Sequence, residues 1–399
     1  MTVPKDNLER TTPLMGAGSV LRLIRDTEGM TRSDLARVTG LARSTVAQRV
    51  DALLAHELVY EGRASASTGG RPPILLTFNH RAGVVLVADL GATHSRLAAS
   101  DLAGTPLAEE AFDLDIAAGP ERVLQMVHEH FTALLSALDR TARDVRGIGI
   151  GVPGPVAFHL GQPVKPPIMP GWNGFSIPDW FSGRYDAPVL VDNDVNIMAL
   201  GEHWANWRGT DHLMFIKVGT GIGCGIVAGG MIHRGAQGAA GDIGHIRLAA
   251  HEETLCRCGN VGCLEAVAGG DALARRLAEA GLEATNSRDV VRLVRAGDAT
   301  AVRMVREAGR LIGEVLAGCV NFFNPGVIVI GGDVGHAPEV LAGAREVTIQ
   351  RSLPLATGDL DIVASRLGDR AGVVGAAIMV IEHVLAPDVV DKVVQGAAA

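Results

Sequence analysis

Residues 241–265 read GDIGHIRLAAHEETLCRCGNVGCLE and contain three of the chain's five cysteines together with His245. Three thiolates and one imidazole form a ligand set that suits tetrahedral zinc. Cys256 and Cys258 form a Cys-x-Cys pair rather than the Cys-x-x-Cys pair of common zinc fingers, which favours a specialised loop around one metal. The alternative is that the three cysteines are inert, small apolar side chains.

Other motifs surround this stretch in a fixed order. They are Asp89-Leu90-Gly91-Ala92-Thr93, Gly151-Val152-Pro153-Gly154-Pro155, Asp192-Asn193-Asp194 and Gly219-Thr220-Gly221-Ile222-Gly223-Cys224-Gly225. Together with the histidine and cysteine motif, they resemble the ROK family of sugar-responsive repressors, open reading frames and sugar kinases over nearly all of residues 82–385. The resemblance implies an actin-like, ribonuclease H-like domain of two α/β lobes with a cleft between them.

The residue pattern independently favours an α/β fold. Residues 84–88 are a continuous apolar run of strand length, and residues 89–93 are expected to form the hairpin turn that follows. A helical apolar pattern over residues 123–138 then leads to a second predicted strand at 147–152. The uncharged stretch 315–332 is interrupted by Asn324 and Pro325, so a helix followed by a buried strand is expected there rather than a membrane span.

Length and composition suggest a multidomain protein with a large core. The chain of 399 residues is long enough for two or three domains. We expect a winged helix-turn-helix domain with its linker at 1–80, a first lobe at 81–194 plus 371–399, and a second lobe with the zinc loop at 195–370. Mixed charge at the start of the chain and an odd number of cysteines predict a cytoplasmic protein with no membrane partner.

Charge separates the N-terminal part from the rest. The net charge is −8, but residues 1–80 hold ten Lys and Arg against eight Asp and Glu, net +2, which leaves 26 against 36, net −10, for the remainder. Only the N-terminal part could comfortably approach phosphates. A helix with Leu35, Ala36 and Val38 on one face, a turn at 39–41 and a second helix from about Ala42 form a predicted helix-turn-helix.

The second helix and the segment after it carry side chains suited to DNA. Two short strands around residues 58–60 and 74–76, separated by a Gly, Ser and Arg-rich segment, are typical of a wing. Arg and Gln can bond two atoms of one base, whereas Ser and Thr hydroxyls suit phosphate oxygens. A solvated helix pair that serves as a dimer arm is the alternative. The candidate contacts to double-stranded operator DNA, expected to be an inverted repeat, are Arg43, Ser44, Thr45, Gln48, Arg49, Arg63 and Arg71.

Glycine-rich turns are candidates for a nucleotide site. In sugar kinases of the family that the motifs resemble, such turns lie beneath the phosphates and the adenosine, where glycine allows close backbone approach. A glycine-rich turn between buried strands needs no ligand, so both interpretations stay open. If nucleotide binding is retained, the resemblance implies ATP, Mg²⁺ and the residues Asp89, Gly91, Thr93, Thr220, Gly221, Gly331 and Gly332.

The polar run after the predicted strand 189–191 is a candidate catalytic element. The resemblance implies that Asp194 is the general base that would take a proton from a sugar hydroxyl in a kinase, with Asn193 holding a neighbouring hydroxyl. A helix cap before Val195 is an equally good interpretation of the run, and the two are compatible. The sugar-binding residues that the resemblance implies are Gly154, Asn193, Asp194, Asp242, His245 and Glu265.

The same resemblance implies that His245, Cys256, Cys258 and Cys263 bind a structural zinc ion. Four protein ligands leave no open coordination position for water activation. His245 can serve both zinc and sugar because its two ring nitrogens are distinct. Asp242 stands where the family more often has Glu, and the shorter carboxylate bears on the sugar preference.

Two functions follow from this combination of motifs. The first is a sugar-responsive transcriptional repressor, favoured by the N-terminal extension, which a plain kinase does not need. The second is an ATP-dependent sugar kinase of the hexokinase type, favoured by Asp194, and a bifunctional protein is a third arrangement. We expect a protein that is not an enzyme and that forms a homodimer or homotetramer, because paired half-sites must be spanned.

Overall fold

The computed structural model describes residues 16–27, 29–63 and 73–396, with the side chain of Arg63 excepted. The chain divides into two compact units. The N-terminal unit comprises Met1–Val85, Asp101–Thr105 and Val380–Ala399, and the large unit comprises Leu86–Ser100 and Pro106–Met379. The wing contact Arg71 and most of the linker lie outside the described residues.

A helix-turn-helix and a two-stranded wing build the N-terminal unit. Thr31 begins the second helix with a capping box, and Gly40 ends it in the left-handed region at φ 71°. The elements are α1 (Ala17–Arg25), α2 (Arg32–Thr39), α3 (Arg43–Ala55), β1 (Val59–Arg63) and β2 (Ile74–Phe78), with the two strands antiparallel. The buried core comprises Val20, Leu21, Ile24, Leu35, Val46, Val50, Leu53 and Leu76. Val38 was expected on the apolar face of α2 and is 54% exposed, so that expectation is wrong.

The large unit contains two five-stranded sheets with the same strand order. Its helices before the second sheet are α4 (Pro120–Ala137), α5 (Ile177–Phe181) and α6 (Asp194–Asn206). The first sheet has the order β5-β4-β3-β6-β9 and a separate short pair is β7-β8. The strands are β3 (Val84–Leu90), β4 (His94–Asp101), β5 (Pro106–Asp113), β6 (Val145–Val152), β7 (Val156–Ala157), β8 (Gln162–Pro163) and β9 (Val189–Asn193).

The second sheet repeats this arrangement with the order β12-β11-β10-β13-β14. Its strands are β10 (His212–Val218), β11 (Ile222–Ala228), β12 (Met231–Ile232), β13 (Val327–Gly331) and β14 (Asp361–Ala364). The helices are α7 (Leu264–Ala268), α8 (Gly270–Glu279), α9 (Ser287–Arg295), α10 (Ala299–Phe323), α11 (Pro338–Arg351), α12 (Pro354–Thr357) and α13 (Ala371–Val384). The last helix, α14 (Pro387–Val394), belongs to the N-terminal unit. If the strands of each sheet are numbered 1 to 5 in chain order, both sheets have the spatial order 3-2-1-4-5. The same α/β arrangement therefore occurs twice.

Two predictions about the chain path can be compared with this fold. The uncharged stretch 315–332 forms the end of α10 and the strand β13, as expected. The turn after the first apolar run is shorter than expected, because Asp89 and Leu90 still belong to β3. Within the described ranges, no single helix has the length and apolar composition to cross a membrane, and only the bent pair of residues 368–384 and 387–394 passes that test together.

Glycines in β11 let α6 approach the second sheet closely. A Cβ atom at Gly225 would lie 2.5 Å from the carbonyl oxygen of Val195 and 2.6 Å from Ala199 Cβ, and one at Gly223 would lie 2.8 Å from Val195 Cγ2. Because α6 begins at Asp194, this packing fixes where that carboxylate stands.

We predict that Gly225→Ala destabilises the large unit, because backbone atoms of α6 would have to move. Overpacking of this kind costs about 1–3 kcal/mol, and the melting temperature should fall by about 5 °C. Gly209→Ala is the matched control, since a Cβ atom there has no heavy atom within 4 Å among the described residues. Equal melting temperatures for both variants, measured by calorimetry, would contradict the prediction.

Candidate functional site

A cavity of about 890 Å³ in the large unit contains most of the residues that the sequence singled out. All of the candidate sugar contacts line it, namely Gly154, Asn193, Asp194, Asp242, His245 and Glu265. Of the candidate nucleotide contacts, Asp89, Gly91, Thr220, Gly221 and Gly332 line it, whereas Thr93 and Gly331 are not among the lining residues. The volume is in the range of small-molecule sites.

The start of α6 presents Asn193 and Asp194 to the cavity. Asn193 caps the helix, because its side-chain oxygen accepts a 2.9 Å hydrogen bond from the backbone N–H of Val195. Its side-chain nitrogen donates to the carbonyl oxygen of Gly154 at 3.0 Å. An amide side chain offers two donor hydrogens and two acceptor lone pairs, so Asn193 keeps one of each for a ligand. The cap predicted for this run is therefore present beside the carboxylate of Asp194.

Asp192 fixes the polar end of β9 through hydrogen bonds and an ion pair. It is 2% exposed, and one of its oxygens accepts hydrogen bonds from Asn193 N and from Asn196 Nδ2, each at 2.8 Å. The other oxygen pairs with Arg234, whose guanidinium also lies 3.7 Å from the ring centroid of Phe158. A buried carboxylate with this many donors is fixed in position.

The segment 241–244 lies directly against β11. Gly241 has φ 92° and accepts a 3.0 Å hydrogen bond from Cys224 N, and a Cβ atom on it would lie 2.0 Å from the carbonyl oxygen of Cys224. A Cβ atom on Gly244 would lie 2.2 Å from the carbonyl oxygen of Ile222. Only glycine permits both approaches. As a consequence, Asp242 and His245 face the cavity.

Glu265 reaches the same cavity from the first turn of α7. Its Oε2 atom accepts a 3.1 Å hydrogen bond from Ile222 N. A Cβ atom on Gly221 would lie 2.0 Å from this oxygen, so glycine is needed in the turn between β10 and β11. The carboxylate thereby connects the turn to the zinc loop and keeps its second oxygen for a ligand.

The residues His245, Cys256, Cys258 and Cys263 form a cluster whose ligand atoms all lie within 4.8 Å of one another. Cys256 Sγ lies 3.7 Å from His245 Nδ1, and Cys258 Sγ lies 3.7 Å from Cys263 Sγ. Tetrahedral zinc with bonds of 2.0–2.3 Å places its ligand atoms about 3.3–3.8 Å apart. The donor set and its spacing therefore fit a zinc ion.

The loop around the cluster is held by backbone hydrogen bonds and by two glycines. Cys256 N donates to Asn260 O at 2.8 Å, while Gly259 and Gly262 adopt φ of 90° and 72°. Burial raises the pKa of Cys263 to about 12. A metal would have to displace the proton of this thiol in order to bind it.

His245 stands between the cluster and the cavity. Its Nδ1 atom faces Cys256, and its Nε2 atom lies 3.8 Å from Asp242 Oδ1. One ring nitrogen of His245 therefore faces the thiol of Cys256, and the other lies near Asp242. This is the arrangement that binding of both a metal and a ligand by one histidine requires.

Lys217 is a residue of this cavity that the sequence reasoning missed. It is the one Lys, Arg, Asp or Glu of β10, and its Nζ atom donates to Asp194 Oδ2. Leu213, Phe215 and Ile216 of the same strand are fully buried. A single lysine in an otherwise apolar strand just before a glycine-rich turn is a signal that could have identified it.

The candidate DNA contacts lie on α3 of the N-terminal unit. Arg43, Ser44 and Gln48 are exposed, whereas Thr45 and Arg49 are half-buried and the Nε atom of Arg49 is fully buried. The expectation that all five side chains point outward is therefore wrong for Thr45 and Arg49. The backbone of Arg63 belongs to β1, but its side chain and all of Arg71 lie outside the described residues.

Salt bridges join the helices of the N-terminal unit around α3. Arg32 at the start of α2 pairs with Asp51 of α3 at 2.9 Å and with Glu61 of β1 at 3.0 Å. The carboxylates of Asp51 and Glu61, which could repel DNA phosphates, are thus partly neutralised by Arg32 of α2.

Comparison with known proteins agrees with the division of the chain into an N-terminal unit and a large unit. A model described as "ROK family" matches residues 85–383, and one described as "Winged helix-turn-helix DNA-binding" matches residues 18–59. A putative xylose repressor of Caldicellulosiruptor sp. strain Rt8B.4 is 32% identical over 387 residues, which cover 93% of this chain and 96% of that protein.

Two solved structures have the same fold. A ROK family transcriptional regulator, described as a homologue of the E. coli MLC protein, has a TM-score of 0.79 at 29% identity and covers 95% of this chain and 98% of its own. The ROK hexokinase of Thermus thermophilus has a TM-score of 0.61 at 33% identity and covers 75% of this chain and 99% of its own. The resemblance inferred from the motifs is confirmed: the chain belongs to the ROK family and carries an N-terminal winged helix-turn-helix.

Proposed function

We propose that this chain is a sugar-responsive transcriptional repressor. Its winged helix-turn-helix binds double-stranded operator DNA, and its cavity binds a sugar effector. The observation that carries the proposal is the presence of both parts in one chain. Helix α3 of a DNA-binding fold exposes Arg43, Ser44 and Gln48, and the cavity is lined by carboxylates and by His245, which suit sugar hydroxyls. A relative named as a xylose repressor matches nearly the whole chain.

The kinase alternative has weaker support. It is favoured by Asp194 in the cavity and by the hexokinase structure, and it would require ATP and Mg²⁺ at the glycine-rich turns. A quarter of this chain has no counterpart in that hexokinase, however, whereas the transcriptional regulator matches 95% of it. Enzymatic turnover is therefore not needed to explain the architecture that this chain shares with the transcriptional regulator.

Operator release follows if the sugar binds the DNA-free form more tightly than the DNA-bound form. A ligand with equal affinity for both forms would shift nothing. We propose a homodimer or homotetramer that works on DNA in the cytoplasm, because two winged helices are needed to span the half-sites of an inverted repeat.

The proposed metal at the His245, Cys256, Cys258 and Cys263 cluster is zinc with a structural role. It would hold the loop that presents His245 and Asp242 to the sugar, and four protein ligands leave it no position for substrate. His245 would bind zinc through Nδ1 and leave Nε2 for a sugar hydroxyl.

We predict that the purified protein contains about one zinc ion per chain and that Cys258→Ser loses it, since a structural site needs all four ligands. The melting temperature should fall by about 5 °C or more, because metal binding contributes directly to folding. Elemental analysis and calorimetry measure both quantities. Cys319→Ser, which removes a thiol outside the cluster, is the control, and equal metal content in the two variants would contradict the assignment.

We predict that Gln48→Ala lowers affinity for the operator by about 5- to 150-fold and leaves nonspecific binding unchanged, as expected for a residue that contacts a base edge. Arg43→Ala should weaken binding to all DNA sequences and reduce the salt dependence, as expected for a phosphate contact.

The operator is first selected from random duplexes with the wild-type protein. Arg295→Ala, which removes an exposed charge from the large unit, should bind like the wild type. Failure to enrich any sequence would refute the repressor function.

We predict that one sugar of a panel of xylose, glucose and N-acetylglucosamine binds the zinc-loaded protein and weakens operator binding by about 5- to 150-fold, the usual range of coupling between two sites. Asp242→Asn should lower sugar affinity at least about tenfold, because a charged acceptor of a hydroxyl hydrogen bond is replaced by a neutral amide. Titration calorimetry and DNA shift assays measure the two effects. Asp186→Asn, an exposed change away from the cavity, is the control. A sugar that binds without altering operator affinity would refute the sensing mechanism.

A further inference from the structure

Lys217 and Asp194 form an ion pair at the base of the cavity. The side chain of Asp194 is 4% exposed and that of Lys217 is 22% exposed, so solvent screens the pair only weakly. The two residues come from different elements, the strand β10 and the first position of α6. Both line the cavity in which the candidate sugar contacts lie.

The repeated strand order gives Lys217 a counterpart in the first sheet. Lys217 is the penultimate residue of β10, the first strand of the second sheet, and Asp89 is the penultimate residue of β3, the first strand of the first sheet. Each precedes a glycine-rich turn that lines the cavity. The two equivalent positions therefore carry a lysine in one sheet and an aspartate in the other.

Further carboxylates act on the same ammonium. Burial disfavours the charged form of Lys217, but the carboxylates of Asp194, Asp89 and Asp333 offset this and raise its pKa. Burial raises the pKa of Asp89 to about 7, and the positive charge of Lys217 opposes that change. Gly372 packs against the Asp89 carboxyl so closely that a Cβ atom there would lie 1.9 Å from Oδ2. Asp89 thus has little freedom to turn away from the cluster.

Phosphoryl transfer from a nucleotide requires two groups in such a cavity, a bound divalent cation and a free carboxylate. A divalent cation must bridge the phosphates and be held near carboxylates, and a carboxylate must be free to accept the proton of the attacking hydroxyl. Here the ammonium of Lys217 already lies among these carboxylates. It donates a hydrogen bond to Asp194, the carboxylate that would be the base. A proton could be transferred to Asp194 only by breaking a buried ion pair, which is costly.

We infer that Lys217 is a resident cation that takes the place of the divalent metal of a metal–nucleotide complex, so that the cavity binds a sugar without phosphorylating it. Asp194 then serves as an acceptor for a sugar hydroxyl, held in position by Lys217. The inference rests on the proposed function, because a sensor needs a ligand that it does not consume.

The first test uses the wild-type, zinc-loaded protein. Sugar affinity should be the same with and without Mg²⁺ and ATP, and no phosphorylated sugar should form from ³²P-labelled ATP over an overnight incubation. Formation of sugar phosphate, or a sugar affinity that depends on Mg²⁺ and ATP, would overturn the inference. The outcome does not depend on the folding of any variant.

The second test asks whether removing the ammonium creates a metal site. Zinc-loaded Lys217→Met should bind one Mn²⁺ per chain at least about tenfold more tightly than the wild type, as measured by electron paramagnetic resonance, because three carboxylates lose their resident cation. Arg303→Met, which removes an exposed positive charge from α10, should bind Mn²⁺ like the wild type. Adding Asp89→Asn to Lys217→Met should abolish the new site. An unchanged Mn²⁺ affinity in a folded Lys217→Met protein would refute the inference.

The two proposals fail in distinguishable ways. A protein that binds operator but none of the sugars would contradict the sensor function, while Mn²⁺ binding would still decide the role of Lys217. A protein that phosphorylates a sugar and also binds an operator would refute the inference and leave DNA binding intact.

Discussion

The close backbone packing of residues 241–244 on β11 positions the part of the cavity wall that carries Asp242 and His245. Gly241 and Gly244 approach the carbonyl oxygens of Cys224 and Ile222 so closely that no side chain fits. From this contact, Asp242 and His245 point into the cavity, and His245 also faces the three thiols on its other side. The packing therefore places the candidate sugar contacts and the candidate metal ligands with one set of backbone contacts. Any displacement of this segment would affect both.

Buried carboxylates of α6 and the strand before it are each matched by donors from other elements. Asp192 pairs with Arg234, Asp194 pairs with Lys217, and Glu202, which is fully buried, accepts from Leu367 N at 2.8 Å and from Asn206 Nδ2 at 3.0 Å. A buried charge without a partner is strongly destabilising, so these pairs restrict where α6 can lie. The pairs of Asp194 and Glu202 connect the helix to the second sheet and to the segment after β14, which fixes the position of Asp194.

Local chemistry explains what the sequence predicted well. The cysteines and His245 are close in sequence, and their residue types alone indicate zinc. The motifs around Asp89, Asp194 and Thr220 were recognised because each is a short stretch with a glycine or a carboxylate at a fixed spacing. The helix-turn-helix was recognised from its capping and apolar pattern, and only the exposure of Val38 and the partial burial of Thr45 and Arg49 departed from it.

Lys217 was missed because its meaning depends on a contact between elements. The sequence shows one lysine in an apolar strand, but it does not show that this lysine pairs with Asp194, 23 residues earlier. The end of β3 was misjudged for a related reason, since the hydrogen bonds that extend the strand to Leu90 are made by neighbouring strands. Pairings of this kind follow from tertiary structure and not from residue order.

A sensor and a kinase place different demands on the same cavity. A kinase gains from binding the transition state more tightly than the sugar, whereas a sensor gains only from a difference in sugar affinity between its DNA-bound and DNA-free forms. Turnover would remove the ligand and make occupancy depend on ATP. A fixed ammonium beside Asp194 would suit the proposed sensor, because it holds the carboxylate in one orientation for a hydroxyl. Only the part of the sugar's binding free energy that differs between the DNA-bound and DNA-free forms contributes to the coupling to DNA.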